Sequence, residues 1–282
     1  MATQLILIEG LPGSGKSTIA KITDEILNDL GIEHQTFREG NLNHPADYEG
    51  MACMTYKEFN ELRSKFKKHL DFIDQYMVQK ENNYFLAYDK IKKEIGSKFP
   101  NELLNKIIEY DIYEITLDRH IQLILERWTS FVESALKDKN VYIFECCFIQ
   151  NPITVSLLRD NSPKEITINY IQKLKRIIEP LNPVLIYVNQ NNIEKAFRKV
   201  VEERPASWSD GFMYYYTKRG FGKENNMQGL EGTIEVLKSR KTLELELLDA
   251  LDMDHIKLDN SSYDYNKIKK EIVRNIDNFL KN

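Results

Sequence analysis

The sequence predicts an α/β protein: a three-layer fold with a five-stranded parallel sheet and a helical insertion. Three observations predict it. Five short apolar runs recur along the chain, each closed by polar or turn-forming residues. Segments with apolar residues three and four apart separate them. One such stretch, residues 50–140, is far longer than a crossover between neighbouring strands needs. Strands that alternate with helices pair in parallel and are covered on both faces, so they read as continuous apolar runs.

Residues 4–9, "QLILIE", are the first strand. Ile19, Ile22, Ile26, Leu27 and Leu30 then set a helix from Lys16, which Gly31 ends in the position helices favour for glycine. "IEHQTF", 32–37, is the second strand, and it stops at the turn-rich "REGNLNHPADYEG". Residues 55–139 read as mostly helix with breaks near Gly96–Pro100. One stripe is Phe59, Leu62, Phe66, His69 and Ile73, and another is Leu117, Ile121, Ile124, Leu125, Trp128 and Val132. Such stripes are core packing. The block 50–140 reads as an insertion between the second and third strands, large enough to wall an acceptor pocket. "VYIFECCFI", 141–149, is the third strand, followed by helical segments to Glu179. "NPVLIYVNQ", 182–190, is the fourth, with a helix from about 191 to 203 after it. "HIKLDNS", 255–261, is the fifth, and Ile268, Ile272 and Ile276 mark a final amphipathic helix. No repeat, low-complexity tract or linker interrupts the chain, so 1–282 reads as a single domain.

Composition narrows the function. The 282 residues are 42% hydrophobic and 29% charged, ordinary for a soluble globular protein. A net charge of −4 gives no whole-chain reason to expect nucleic acid or an anionic membrane as partner. No stretch approaches the roughly 18 apolar residues of a membrane span. The start lacks a basic segment, and its apolar run is cut at once by Glu9, unlike a secretory signal. Cys53, Cys146 and Cys147 are odd in number and lack C-x-x-C spacing, which argues against a disulfide framework or a zinc site. A reducing, cytoplasmic setting is expected.

The chemistry begins at Gly10-x4-Gly15-Lys16-Ser17, a Walker A pattern set between a predicted strand and a predicted helix. The glycines let backbone N–H groups turn toward phosphate oxygens. The following helix adds the positive end of its dipole. Lys16 then neutralises the β- and γ-phosphates, and the Ser17 hydroxyl reaches Mg²⁺. Gly13, Ser14, Gly15, Lys16, Ser17 and Thr18 are therefore the candidate ATP-binding residues of a P-loop NTPase fold.

"LILIEGLPGSGKST" resembles the first strand and loop of the small-molecule P-loop kinases, the group that includes thymidylate kinase, the deoxynucleoside kinases and several antibiotic phosphotransferases. The resemblance spans the α/β framework but not the 50–140 insertion. It implies a nucleotide-kinase-like fold, ATP and Mg²⁺ as cofactors, and transfer to a hydroxyl of a nucleoside, nucleotide, antibiotic or other metabolite.

In open parallel sheets, ligands bind beyond the carboxyl ends of the strands, so acids there matter. Glu145 follows "VYIF" and resembles the acid of a Walker B strand, a Mg²⁺ ligand beside Ser17; otherwise it is a buried carboxylate in need of a cation. Glu39 resembles the acid that deoxynucleoside kinases carry after their second strand, the base that takes the acceptor's proton; otherwise "REGN" is a solvated turn. The chain departs from that pattern: Glu39 is not followed two residues on by tryptophan, and Glu145 is followed by Cys-Cys rather than Arg-Ser. A nucleoside acceptor is thereby in doubt, while phosphoryl transfer is not.

Residues 198–223 carry six cations against three anions. Arg198 and Arg204 resemble the lid arginines of nucleotide kinases, which clamp the transferring phosphoryl group; a solvated mixed-charge helix is the alternative. Planar guanidinium suits that task, and a closed lid excludes water. The aromatic run Trp208, Phe212, Tyr214, Tyr215 and Tyr216 reads as lid or substrate wall rather than a nucleic-acid platform. His44, Asp47 and Arg127 are candidate acceptor contacts, and Asp259–Ser261 a candidate base contact. The leading reading is an ATP-dependent small-molecule kinase with Lys16, Glu39, Arg198 and Arg204 as its catalytic groups. The alternative is a regulatory P-loop NTPase without an acceptor. "VNQNN", 188–192, lacks the base-reading pattern a GTPase would carry there.

Overall fold

The computed structural model describes residues 4–280, with side chains as far as 275. Ile276, placed above on the last helix's apolar stripe, has its side chain outside the described residues. The described chain divides into two compact units. Residues up to Glu39 and from Trp128 onward form the first, and Gly40–Arg127 form the second.

The first unit is built on five strands: β1 (Leu5–Glu9), β2 (His34–Phe37), β3 (Val141–Glu145), β4 (Val184–Asn189) and β5 (His255–Asp259). All pair in parallel in the order β2-β3-β1-β4-β5. The register sets Ile8 beside Glu145 and Glu9 beside Tyr187, so the strand ends that carry acids share one edge. The chain leaves β1 toward β2 and leaves β3 toward β4, in opposite directions. The crevice opens at such a divergence.

One sheet face buries Ile6, Ile8, Ile143, Ile186, Val188 and Leu258 against Ile19, Ile22 and Ile26 of α1 (Lys16–Asp29) and Ile268 and Ile272 of the last helix, Tyr265–Leu280. On the other face, Trp128 and Phe131 pack edge-on or tilted against Phe144. The long helix Gly229–Ala250, which the sequence reading left unassigned, meets the sheet where Tyr187 OH donates to Glu244.

The strands differ in length from the expectation. The third ends at Glu145 rather than residue 149 because Cys146 turns into the left-handed region at φ 73°. Its N–H still donates to Ile8 O, and the chain then coils into a short helix, Gln150–Ile153. The fourth and fifth strands shorten to 184–189 and 255–259.

The second unit is mostly helical, as expected, but it also contains a small sheet that the sequence did not announce. It holds a three-stranded antiparallel sheet, with Ala52–Thr55 and Val78–Lys80 both paired to Asn83–Leu86. The stripe from Phe59 to Ile73 is real as burial but not as one helix: the helix Tyr56–Lys65 ends before Phe66, and a 3-10 turn precedes Leu70–Tyr76. Phe59, Leu62, Phe66 and Ile73 are buried in that unit's core with Leu86 and Leu103, while His69 is only partly covered. Unit two spans 40–127 rather than 50–140, and within it Cys53 N bonds Tyr110 O and Ala52 bridges Asp111. No helix among the described residues is long and apolar enough to cross a membrane.

Candidate functional site

The loop between β1 and α1 has the backbone geometry that an anion cradle would need. Gly13 and Gly15 both sit in the left-handed region, at φ 83° and 96°. A side chain on either would strike a neighbour: Val200 Cγ2 lies 2.5 Å from the Cβ position at Gly13, and Asn260 Nδ2 2.4 Å from that at Gly15. The loop is pinned from the ends of two other strands. Ser14 O accepts from Asn260 Nδ2 at 2.8 Å and from Gln190 Nε2 at 3.2 Å. Thr18 lies in the first turn of α1, where its neighbours' N–H groups and the helix dipole favour an anion.

Lys16 is buried, and its Nζ donates to Leu11 O at 3.1 Å. Burial works against its ammonium, while Cys146, Glu39 and Glu145 favour it, and the balance raises its pKa. Burial also pushes the Cys146 thiol well above its ordinary value, so at neutral pH the two carboxylates are the groups that hold Lys16 charged.

Two of the expected acids meet at the strand ends. Glu145 Oε1 accepts from Ser17 Oγ at 2.6 Å, and its Oε2 is buried with no hydrogen-bond partner among the described residues. Glu39 Oε1 accepts from Gln150 Nε2 at 2.8 Å, and its Oε2 takes the Cys146 S–H at 3.4 Å. Ligand atoms of Glu39, Glu145 and Cys146 lie within 4.8 Å of one another. A hard divalent cation takes oxygen ligands. The protonated Cys146 thiol is a poor match, whereas the orphaned Glu145 oxygen beside Ser17 fits Mg²⁺. Ser17 and Glu145 would hold it there.

A third acid was missed. Glu9, read only as the end of an apolar run, is fully buried and accepts from Phe148 N at 2.7 Å and Gln150 N at 2.9 Å. It fixes the turn that carries Gln150 to Glu39. Burial pushes its pKa up to about 7 against those backbone donors and Lys16. Because the folded carboxyl titrates above the unfolded one at 4.5, the native state holds the extra proton between those values. Its stabilising contribution is thus present at acid pH and lost as pH rises through about 7, by about 3 kcal/mol at full ionisation. Glu9→Gln is expected to flatten this limb. Urea midpoints measured from about pH 5 to pH 8 check it, and equal slopes in both proteins would refute it.

Lys16, Ser17, Thr18, Glu39 and Glu145 line one cavity of about 760 Å³ within the first unit. Its far wall comes from the 198–225 segment, folded as the helices Ile193–Glu203, Ala206–Lys218 and Gly220–Glu224. Arg204 leaves helical geometry just before Pro205 and lines the cavity, with its guanidinium over Trp208 at 5.6 Å. Lys199 lines it too. Arg198 does not: one turn from Glu194, it is held at the surface by ion pairs to Glu194 and Glu231. The aromatic run is partly packing, since Phe212 stacks on Tyr216 at 4.1 Å and lies 5.2 Å from Phe197.

The three candidate acceptor contacts lie in the second unit, joined to their own neighbours. Arg127 Nη2 donates to His44 O at 3.0 Å and its guanidinium covers the Tyr48 ring. Asp47 accepts from Tyr113 OH and Tyr48 N. Burial lowers the His44 pKa to about 4, so its ring is neutral at neutral pH. Asp259 and Ser261 bond one another and Asn191, tying β5 to the end of β4; Asn260 between them is the residue that touches the phosphate loop.

Sequence reasoning also missed Arg240 and Glu244, buried on the helix Gly229–Ala250. The signal was there: an Arg-x-x-x-Glu pair falls within the stripe of Thr233, Val236, Leu237, Leu243, Leu247 and Leu248.

A five-stranded parallel sheet with a phosphate loop after its central strand is a nucleotide-kinase-like fold of the P-loop class. No family model matches the chain, and no curated protein matches it. Among solved structures it is similar to a thymidylate kinase from Candida albicans, described in terms of broad substrate specificity and a novel structural element. The two are 14% identical, over 98% of this chain and 92% of that one, with a TM-score of 0.46.

Proposed function

We propose that the protein is an ATP-dependent phosphotransferase that moves the γ-phosphate of ATP–Mg²⁺ to a hydroxyl of a small molecule. The observation that carries this reading is the presence of Glu39 in the same cavity as Lys16, Ser17 and Glu145. A nucleotide switch needs the last three; a carboxylate facing the space beyond them suits a second substrate. The two acids divide the work by their bonds. Glu145, fixed by Ser17 and with one oxygen unmatched, is the metal-side carboxylate. Glu39, held among the described residues by Gln150 and a weak thiol donor, is the base that receives the acceptor's proton. Mg²⁺, when bound, neutralises charge on the transferred group. Lys16 adds a fixed positive charge at the β- and γ-phosphates, and Arg204 with Lys199 supplies charge from the far wall.

A cavity of about 760 Å³ suits a metabolite rather than a polymer, and the net charge of −4 agrees. The odd, sparse cysteine set without C-x-x-C spacing is the ground for proposing a reducing, cytoplasmic setting. Incubation with ATP–Mg²⁺ and a pooled panel of nucleosides, nucleotides, antibiotics and metabolites is expected to yield a product heavier by one phosphate, read by mass spectrometry. Release of ADP without any phosphorylated product across the panel would favour the regulatory NTPase instead.

A further inference from the structure

The cavity's most deeply buried cation is neither the loop lysine nor a lid arginine. Arg240 has no solvent exposure, yet it lines the cavity with Lys16 and Gln150. Its guanidinium is held on two sides. Nε donates to Glu244 Oε1 at 2.7 Å, and Nη1 donates to Tyr216 OH at 2.9 Å and Thr154 Oγ1 at 3.3 Å. Glu244 is itself fixed by Tyr187 OH at 2.7 Å. Thr154 donates to Gln150 O at 2.8 Å, and Gln150 holds Glu39. The remaining nitrogen, Nη2, is buried with no hydrogen-bond partner among the described residues.

A purely structural ion pair would have its donors matched, because a charged donor buried without an acceptor destabilises the fold. Here three side chains, Glu244, Tyr216 and Thr154, fix the guanidinium plane and leave Nη2 unmatched in a residue that lines the cavity. Arg240 and Lys16 are thus two buried cations on one cavity: Glu244 pairs the first, Glu39 and Glu145 favour the second, and the Arg240 Nη2 stays unmatched. An anion with oxygens for both would satisfy the orphaned donor and bridge the two cations.

We propose that Arg240 is the preset guanidinium that binds the terminal phosphoryl group of the nucleotide together with Lys16, with Glu244, Tyr216 and Tyr187 as its positioning residues. The proposal rests on the reading of the cavity as a nucleoside-triphosphate site. It differs from a lid arginine's role in one respect: Arg240 is in place before any segment closes, so it contributes to ground-state affinity for the third phosphate.

The test compares dissociation constants for ATP and ADP, each with Mg²⁺, by calorimetry. Wild-type protein is expected to favour ATP over ADP. The double variant Arg240→Gln/Glu244→Gln removes both charges and keeps a neutral hydrogen-bonding pair. It is expected to lose about 10- to 100-fold in ATP affinity, the size of a charge-assisted hydrogen bond, with ADP affinity unchanged. Should the double variant fail to fold, Arg240→Lys is expected to lose ATP affinity alone, by a smaller factor. An unchanged ATP-to-ADP ratio, or an equal loss for both nucleotides, would overturn the proposal while leaving the nucleotide site intact. Wild-type protein that binds neither nucleotide would overturn the site and the proposal together.

Discussion

Glu39→Gln is expected to slow phosphoryl transfer by about 10²- to 10⁴-fold, the range a general base supplies, with ATP–Mg²⁺ affinity unchanged. The substitution is mild for the fold. Glu39 is exposed, and a glutamine oxygen can still accept from Gln150 Nε2. The Cys146 S–H loses its acceptor, a weak bond at 3.4 Å. What the change removes is the carboxylate charge. Single-turnover transfer and nucleotide binding, measured on the same preparation, separate two roles. If binding of ATP falls with Mg²⁺ present and not without it, Glu39 belongs to the metal together with Glu145, as their closeness allows. If transfer is undiminished, the base lies elsewhere.

How much of this was legible in the sequence depends on the distance over which each feature is made. All five sheet strands were found, because a strand covered on both faces announces itself locally as an apolar run. Their ends were less legible. "VYIFECCFI" is apolar throughout, and nothing in it marks that Cys146 turns left-handed and stops the strand four residues early. The small sheet of the second unit was invisible for another reason. Its strands are three or four residues long, too short to show alternation, and their pairing is decided by tertiary contacts.

The site divides the same way. The phosphate loop is local, so Gly13 to Thr18 could be read directly. Glu39 and Glu145 followed from strand ends alone. Glu9 lies just as plainly at the end of the first strand, but its partners, the N–H groups of Phe148 and Gln150, are about 140 residues away. Arg240 bonds Thr154 and Tyr216, 86 and 24 residues distant. Its only local sign was a charged pair inside an apolar stripe. Arg198 shows the converse: its place after the fourth strand resembles that of a lid arginine, yet helical spacing supplies Glu194 one turn earlier to hold it at the surface.

Lys16→Met carries the other large expected effect, and it reaches beyond catalysis. Methionine keeps the length and apolar stem of the lysine but removes the one cation of the loop, which lies among Glu9, Glu39 and Glu145. Loss of a preset positive charge at a developing anion costs about 10²- to 10³-fold in rate, so transfer is expected to fall by at least that much, and ATP affinity with it. The same ammonium lowers the pKa of Glu9, which even so stands near 7. Without it the Glu9 carboxyl is expected to titrate higher still. The folded variant would then keep its extra proton to a higher pH, and the limb over which stability declines would move toward the alkaline side. Urea midpoints across that range check the shift, and the Lys16→Met/Glu9→Gln pair should abolish it. A shift that persists without Glu9 would mean the coupling runs through another acid. A variant whose limb does not move would mean that Lys16 and Glu9, though buried at the same edge of the sheet, are electrostatically independent.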